Sequence, residues 1–177
     1  IGSGCTNTIS TNFGFVGSGC SNTVCTSDFG AVVDGACNRA TGCFAFIGNG
    51  GNFTAAGYIL NNQASGDCSF IGNGYVNCGF GGYSFIGNGR GNTIDPPASV
   101  CYSFIGNGLS NCTSSAYGGI LVGTGNCIYP TSDFSLVIGG IANCSLNVHG
   151  TVVNGSHNTV SGRYAFVGNG GGPAANF

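Results

Sequence analysis

Tyr102-Ser103-Phe104-Ile105-Gly106-Asn107-Gly108-Leu109-Ser110-Asn111-Cys112 is one copy of a unit that fills the chain. Its hexapeptide Ser-Phe-Ile-Gly-Asn-Gly stands unbroken at 69–74, 84–89 and 103–108, and degenerate copies run on either side. With the aliphatic residue taken as position zero, the copies align Ile1, Val16, Val32, Ile47, Leu60, Ile71, Ile86, Ile105, Val122, Val137, Val152 and Val167. The period is about 15 residues, with extremes of 11 (Leu60 to Ile71) and 19 (Ile86 to Ile105). A repeat this short is too small for a helix pair or a propeller blade. It fits one coil of a parallel β-solenoid, with two or three short strands separated by turns. With 36 Gly and no Met, and with only three Lys and Arg together, helix is disfavoured as well. The expected fold is all-β: one repetitive domain over 1–177, of about twelve coils.

The residues flanking position zero show how a coil is built. One step before it stand Phe15, Phe46, Phe70, Phe85, Phe104, Leu121, Leu136 and Phe166. Three steps before it stand Phe13, Phe29, Phe44, Tyr83, Tyr102, Phe134 and Tyr164. Two steps before it the residue is small, as at Gly14, Gly30, Ala45, Ser69, Ser84, Ser103, Ser135 and Ala165. Alternate residues of a strand face opposite sides. The aromatic positions therefore share one face, and the small and aliphatic positions share the other. One face fills the coil. The other is apolar too and needs a cover, since a strand apolar on both faces is buried on both. The simplest cover is another copy of the chain. The expectation is a homo-oligomer with Phe15, Phe46, Phe70, Phe85, Phe104 and Phe166 at the interface. The alternative, a monomer with an open aromatic stripe, exposes more apolar surface than monomers usually carry.

After position zero, the third residue is Gly in eleven of the twelve aligned copies, Gln63 being the exception. Such a column reads as a turn that needs positive φ or close backbone approach. A phosphate-binding loop would need a helix start and usually a Lys, and neither is present. The turns also lack the Asp that calcium-binding nonapeptides require. Six steps after zero comes Asn, at 7, 22, 38, 77, 92, 111, 143 and 158, which predicts a side-chain amide ladder through the stacked coils. The next residue, usually Thr or Cys, is expected to point inward.

Composition closes several routes. Only 5% of residues are charged, and the net charge is −2. Without a basic patch, nucleic acid is not an expected partner, and no apolar run reaches the ~18 residues of a membrane span. The two histidines, His149 and His157, and the five acidic residues form no pattern of catalytic or metal-ligating spacing. The reading is therefore not an enzyme, with no catalytic residues, no cofactor and no metal. Asp28, Asp67, Asp133 and Arg163 lie four steps before zero and read as a solvated corner. The eleven Cys lack CxxC spacing and read mostly as free thiols, with one or two bridges open as an alternative. Sequons at Asn52, Asn111, Asn143 and Asn154 offer glycan attachment points in a secretory setting, although modification of Asn111 or Asn143 conflicts with the ladder. The longest insertion, around Asp95, Pro96 and Pro97, predicts a loop outside the strands and a candidate binding loop. Because Ile1 falls inside a coil, the chain reads as a piece of something longer.

The pattern (Ser/Ala)-Phe-Ile-Gly-Asn-Gly-x-x-Asn-(Thr/Cys)-x-Ser-Gly-x-Tyr, clearest at 158–170, resembles the head repeats of YadA-type trimeric autotransporter adhesins and similar repeats in phage and large-virus fibres. The resemblance covers essentially the whole chain but rests on one short motif. It implies a left-handed parallel β-roll with three chains around a common axis, exposed outside the cell, on a cell surface or on a virion. The family's Ala-rich positions are often Phe or Cys here, and no neck, coiled-coil stalk or anchor is visible. Three functions follow as expectations. One is a structural fibre, shaft or head segment. Another is an adhesin or receptor-binding head that recognises a host glycan or surface protein. The third is an ice-binding solenoid, which would need a regular Thr face.

Overall fold

A Phe-Ile pair can serve two faces of a sheet with only two residues, and that is how each coil uses it. The computed structural model describes residues 1–53, 59–96 and 102–176. It is all-β, with no helix among the described residues. Ten parallel strands form one sheet: Phe15–Val16, Ala31–Val32, Phe46–Ile47, Phe70–Ile71, Phe85–Ile86, Phe104–Ile105, Gly119–Ile120, Leu136–Val137, Thr151–Val152 and Phe166–Val167. The second sheet has eleven parallel strands, from Thr8–Ile9, Thr23–Val24, Arg39–Ala40 and Gln63–Ala64 to Gly155–Val160 and Gly170–Asn176. Between the two strands of most coils lies a column of single parallel bridges, including Cys5↔Cys20, Cys20↔Ala36 and Arg90↔Leu109. The chain is a parallel β-solenoid of about ten coils, roughly 45 Å long at the ~4.8 Å strand spacing.

The position-zero residues fill the coil. Val16, Val32, Ile47, Ile71, Ile86, Ile105, Ile120, Val137 and Val152 are all fully buried. They pack against the second residue of each strand in the other sheet, such as Val24, Ile94, Ile128 and Val160. The small residues two steps before zero line the same interior. Ala45, Ser69, Ser84, Ser103 and Ser135 are buried there, as the alternation predicts.

Two positions break the predicted phase. Leu60 is not a coil residue: Asn52–Phe53 and Ile59–Leu60 pair antiparallel as a separate hairpin. The coil therefore runs from Ile47 to Ile71, and the ladder step from Asn38 to Asn62 spans 24 residues. Val122 is also displaced. Ile120 is the buried residue, paired with Ile105 and Val137, whereas Val122 is 48% exposed. Three successive aliphatics, Ile120-Leu121-Val122, hid the frame. The correct frame puts Gly123 (φ 132°), not Gly125, at the third-residue turn. Leu60 drops out, and Ile1 is exposed and lies in no strand, so the number of coils falls from twelve to about ten.

The turn glycines are required by neighbours as well as by φ. Gly74 has φ 107°, and a Cβ there would run into the carbonyl of Gly89 in the next coil. Three residues later, Asn77 is fully buried. It belongs to a column of Asn7, Asn22, Asn38, Asn62, Asn77, Asn92, Asn111, Asn126, Asn143 and Asn158. In this column the amide oxygen accepts the next Asn backbone N–H, for example Asn92 N to Asn77 Oδ1 at 3.1 Å. The amide nitrogen donates to the turn glycine carbonyl of the next coil, as Asn77 Nδ2 does to Gly89 O at 2.8 Å. The expected ladder exists, but its rungs run mainly from side chain to backbone. Direct amide-to-amide bonds occur at Asn62–Asn38, Asn111–Asn92 and Asn158–Asn143. Correct phasing adds Asn62 and Asn126 to the eight positions read from sequence.

Candidate functional site

The most unusual feature of the surface is two columns of aromatic rings. The outer one stands three steps before zero. Its residues lie not in the strand but in the turn before it, and seven of them are in the left-handed region: Phe13 (φ 57°), Phe29 (φ 62°), Phe44 (φ 55°), Tyr83 (φ 57°), Phe134 (φ 59°), His149 (φ 57°) and Tyr164 (φ 56°). Bulky residues rarely adopt this conformation, at a cost of about 1–2 kcal/mol each. Stacking offsets it. Phe13, Phe29 and Phe44 stack at 4.8 Å between centroids. After Cys68 interrupts the column, Tyr83, Tyr102, Tyr117, Phe134, His149 and Tyr164 continue it at 4.7 to 5.7 Å. The near-parallel rings follow from coil spacing, and each contact is worth about 0.5–1.5 kcal/mol. Yet the outer faces stay open: Phe13 is 76% exposed and Tyr164 74%.

The second column lies one step before zero, on the outside of the ten-stranded sheet. Phe46, Phe70, Phe85 and Phe104 stack without a break at 4.9 to 5.2 Å. Of the six Phe assigned to an interface from sequence, these four are brought together. Phe15 pairs in register with Ala31, and Phe166 with Thr151, so both stand apart from the stack. Gly119 ends the stack beside Phe104. The assignment of both aromatic positions to one strand face does not hold, because the strand is only two residues long and the outer column belongs to the turn. Tyr117 and His149 were missed there: Tyr117 through the Val122 frame, His149 because it is not a Phe or Tyr.

The outer face of the eleven-stranded sheet is different in kind. Its column reads Thr8, Thr23, Arg39, Gln63, Cys78, Thr93, Cys112, Cys127, Cys144 and Thr159 in register. The Thr and Cys among these residues are the ones expected to point inward. They face out, because the residue after each of them, such as Val24 or Ile128, takes the buried place. Thr does not form an unbroken array on this face. Cys112, Cys127 and Cys144 lie side by side on neighbouring strands and are partly buried. The neighbouring Cys127 thiol pulls the Cys112 pKa down to about 6. The Cys127 thiol is pushed up by its Cys112 neighbour and by burial.

The corner carboxylates do more than solvate. Asp28, Asp67 and Asp133 each accept a backbone N–H from the preceding coil: Asn12 at 3.1 Å, Cys43 at 2.8 Å and Ala116 at 3.0 Å. They fasten the turns that carry the outer aromatic column. A depression of about 300 Å³ is lined by Ile9, Ser10, Thr11, Asn12, Thr26 and Asp28, but its one carboxylate is already engaged by Asn12. Asp95 is exposed, with its backbone N–H bonded to Thr113 O at 3.0 Å. Pro96 is half-buried, and Pro97 lies outside the described residues. Among the described residues no group of three or more His, Cys, Asp or Glu is arranged to hold a metal ion. No helix among them is long and apolar enough to cross a membrane. Compared with protein-family models and with curated proteins, the chain matches none.

Proposed function

We propose that the chain is a structural segment of a fibre, built by several copies that bury their aromatic columns against one another around a common axis, with three copies as the expected number. The observation that carries this reading is the uninterrupted Phe46–Phe70–Phe85–Phe104 stack on the outer sheet face, next in sequence to a second, more exposed aromatic column. A rigid solenoid presents such columns as straight, evenly spaced ridges, and two ridges of identical pitch interdigitate without rearrangement. With so few charges on the chain, like-charge repulsion does not oppose close approach of copies. Placement outside the cell or on a virion belongs to this reading, as does recognition of a host glycan or surface protein by a head at a fibre tip.

The test is a charge placed in the stack. Phe104→Asp together with Phe85→Asp removes two of the four stacked rings without touching the buried Ile86 and Ile105 behind them. Sedimentation of the double variant should show single chains with unchanged circular dichroism, where the parent sediments as an assembly. An assembly that survives both substitutions would place the interface elsewhere.

A further inference from the structure

We propose that Cys5 and Cys20 form a disulfide that staples two consecutive coils. The two residues are in-register partners in a parallel bridge at the corner between the two sheets. Their sulfurs lie 2.7 Å apart, against about 2.05 Å for a bonded pair. Backbone hydrogen bonds hold the pair on both sides. Cys5 N donates to Gly19 O at 3.0 Å, and Ser21 N donates to Cys5 O at 2.9 Å. The following residues, Thr6 (φ 50°) and Ser21 (φ 57°), are both left-handed, so the chain leaves each cysteine in the same direction and the two thiols point out together. Strand spacing of about 4.8 Å falls inside the Cα separation a disulfide tolerates. Side chains at this corner are in contact elsewhere too: in register with one another, Arg90 sits over the Tyr75 ring at 4.9 Å. The pair is reachable, with Cys5 exposed and Cys20 half-exposed.

The surroundings also say which sulfur reacts first. Cys20 accepts from Cys5 and contacts the hydroxyls of Thr6 (3.7 Å) and Ser21 (3.8 Å), which favour its thiolate. With a disulfide oxidant such as glutathione disulfide, the Cys20 thiolate attacks one sulfur and expels one glutathione thiolate. Cys5, having lost its proton to solvent, then attacks Cys20 Sγ and expels the second. One S–S bond breaks and one forms. The protein loses two electrons and two protons, and glutathione disulfide becomes two glutathione thiols.

The experiment is a redox titration of the whole chain with defined glutathione and glutathione disulfide mixtures. Each sample is acid-quenched, alkylated after unfolding, and cut with chymotrypsin, which cleaves at Phe13 and Phe15 between the two cysteines. The expected product is a Cys5–Cys20 linked peptide pair lighter by two hydrogens, with two glutathione thiols released per bridge. Cys5→Ser should abolish it and leave Cys20 as a mixed disulfide with glutathione. Amide exchange at Thr8 and Ser10 should slow at least about tenfold in the oxidised chain, since the bridge closes a 15-residue loop. The proposal is overturned if Cys5 and Cys20 stay alkylatable at every ratio, or if Cys20 is found bridged to Cys37.

Discussion

Asn111→Ala removes one rung from the middle of the ladder. Asn111 is fully buried. Its Oδ1 is the acceptor for Asn126 N at 3.0 Å, and its Nδ2 donates to Gly123 O at 2.8 Å and to Asn92 Oδ1 at 3.1 Å. Gly123 O keeps a second donor, Leu109 N at 3.0 Å, and Asn92 Oδ1 keeps Asn111 N at 3.0 Å. The group left with nothing is the Asn126 N–H. An orphaned buried donor costs about 1–3 kcal/mol, and a lost hydrogen bond about 1 more. The sum is about 3 kcal/mol, concentrated between two coils. A repeat array need not unfold in one step, so the cleaner readout is amide exchange at Asn126 and at Cys127, whose N–H bonds Asn143 O at 2.8 Å. Exchange there should accelerate about a hundredfold, at 1.4 kcal/mol per decade. The first coils should be unaffected. Asn111→Asp should be milder in acid: a protonated carboxyl accepts from Asn126 and donates to Gly123 O. Burial raises the folded pKa of that carboxyl, so its stability is present below the unfolded value near 3.9 and is lost as pH rises through the folded one. Unchanged exchange at Asn126 in Asn111→Ala would refute the claim that the ladder holds the coils together.

Other substitutions probe single contacts. Gly74→Ala forces a Cβ into the Gly89 carbonyl at a positive-φ site, and should lower stability by about 2–4 kcal/mol in chemical denaturation. Ser84 Oγ is buried without a partner, and Ala45 already occupies the same column, so Ser84→Ala should stabilise by about 1 kcal/mol. Iodoacetamide labelling of Cys112 should reach half its maximal rate near pH 6, and Cys127→Ala, which removes the neighbouring thiol, should move that midpoint upward. A Cys112 midpoint unaltered by the loss of Cys127 would show that the two thiols are not coupled.

The solenoid was legible because its repeat encodes a stacking rule. Any residue column that is aliphatic in every coil must lie inside, and the Gly and Asn columns follow from turns that repeat at the same place. Errors arose where local sequence imitated the rule. Leu60 supplied an aliphatic at nearly the right distance, although its segment pairs back on Asn52–Phe53. Leu121-Val122-Gly123 imitated the Phe-Ile-Gly frame two residues late, which hid both Tyr117 and Asn126. A check was available in the sequence itself: Asn126 stands six residues after Ile120, the spacing that every ladder Asn except Asn62 keeps from its own coil. The left-handed turn under the outer aromatic column was not readable, because Phe and Tyr are poor candidates for positive φ until their stacking partners are known. The outward-facing Cys column was misread for a related reason. With strands only two residues long, one residue of phase decides inside from outside.

Self-association through the aromatic columns is measured most directly by the absolute mass of the reduced chain in native buffer, by light scattering across a range of concentrations. The account predicts three times 17.5 kDa, independent of concentration. A mass of 17.5 kDa at every concentration would contradict it and leave the aromatic columns as solvent-facing surface of a single chain.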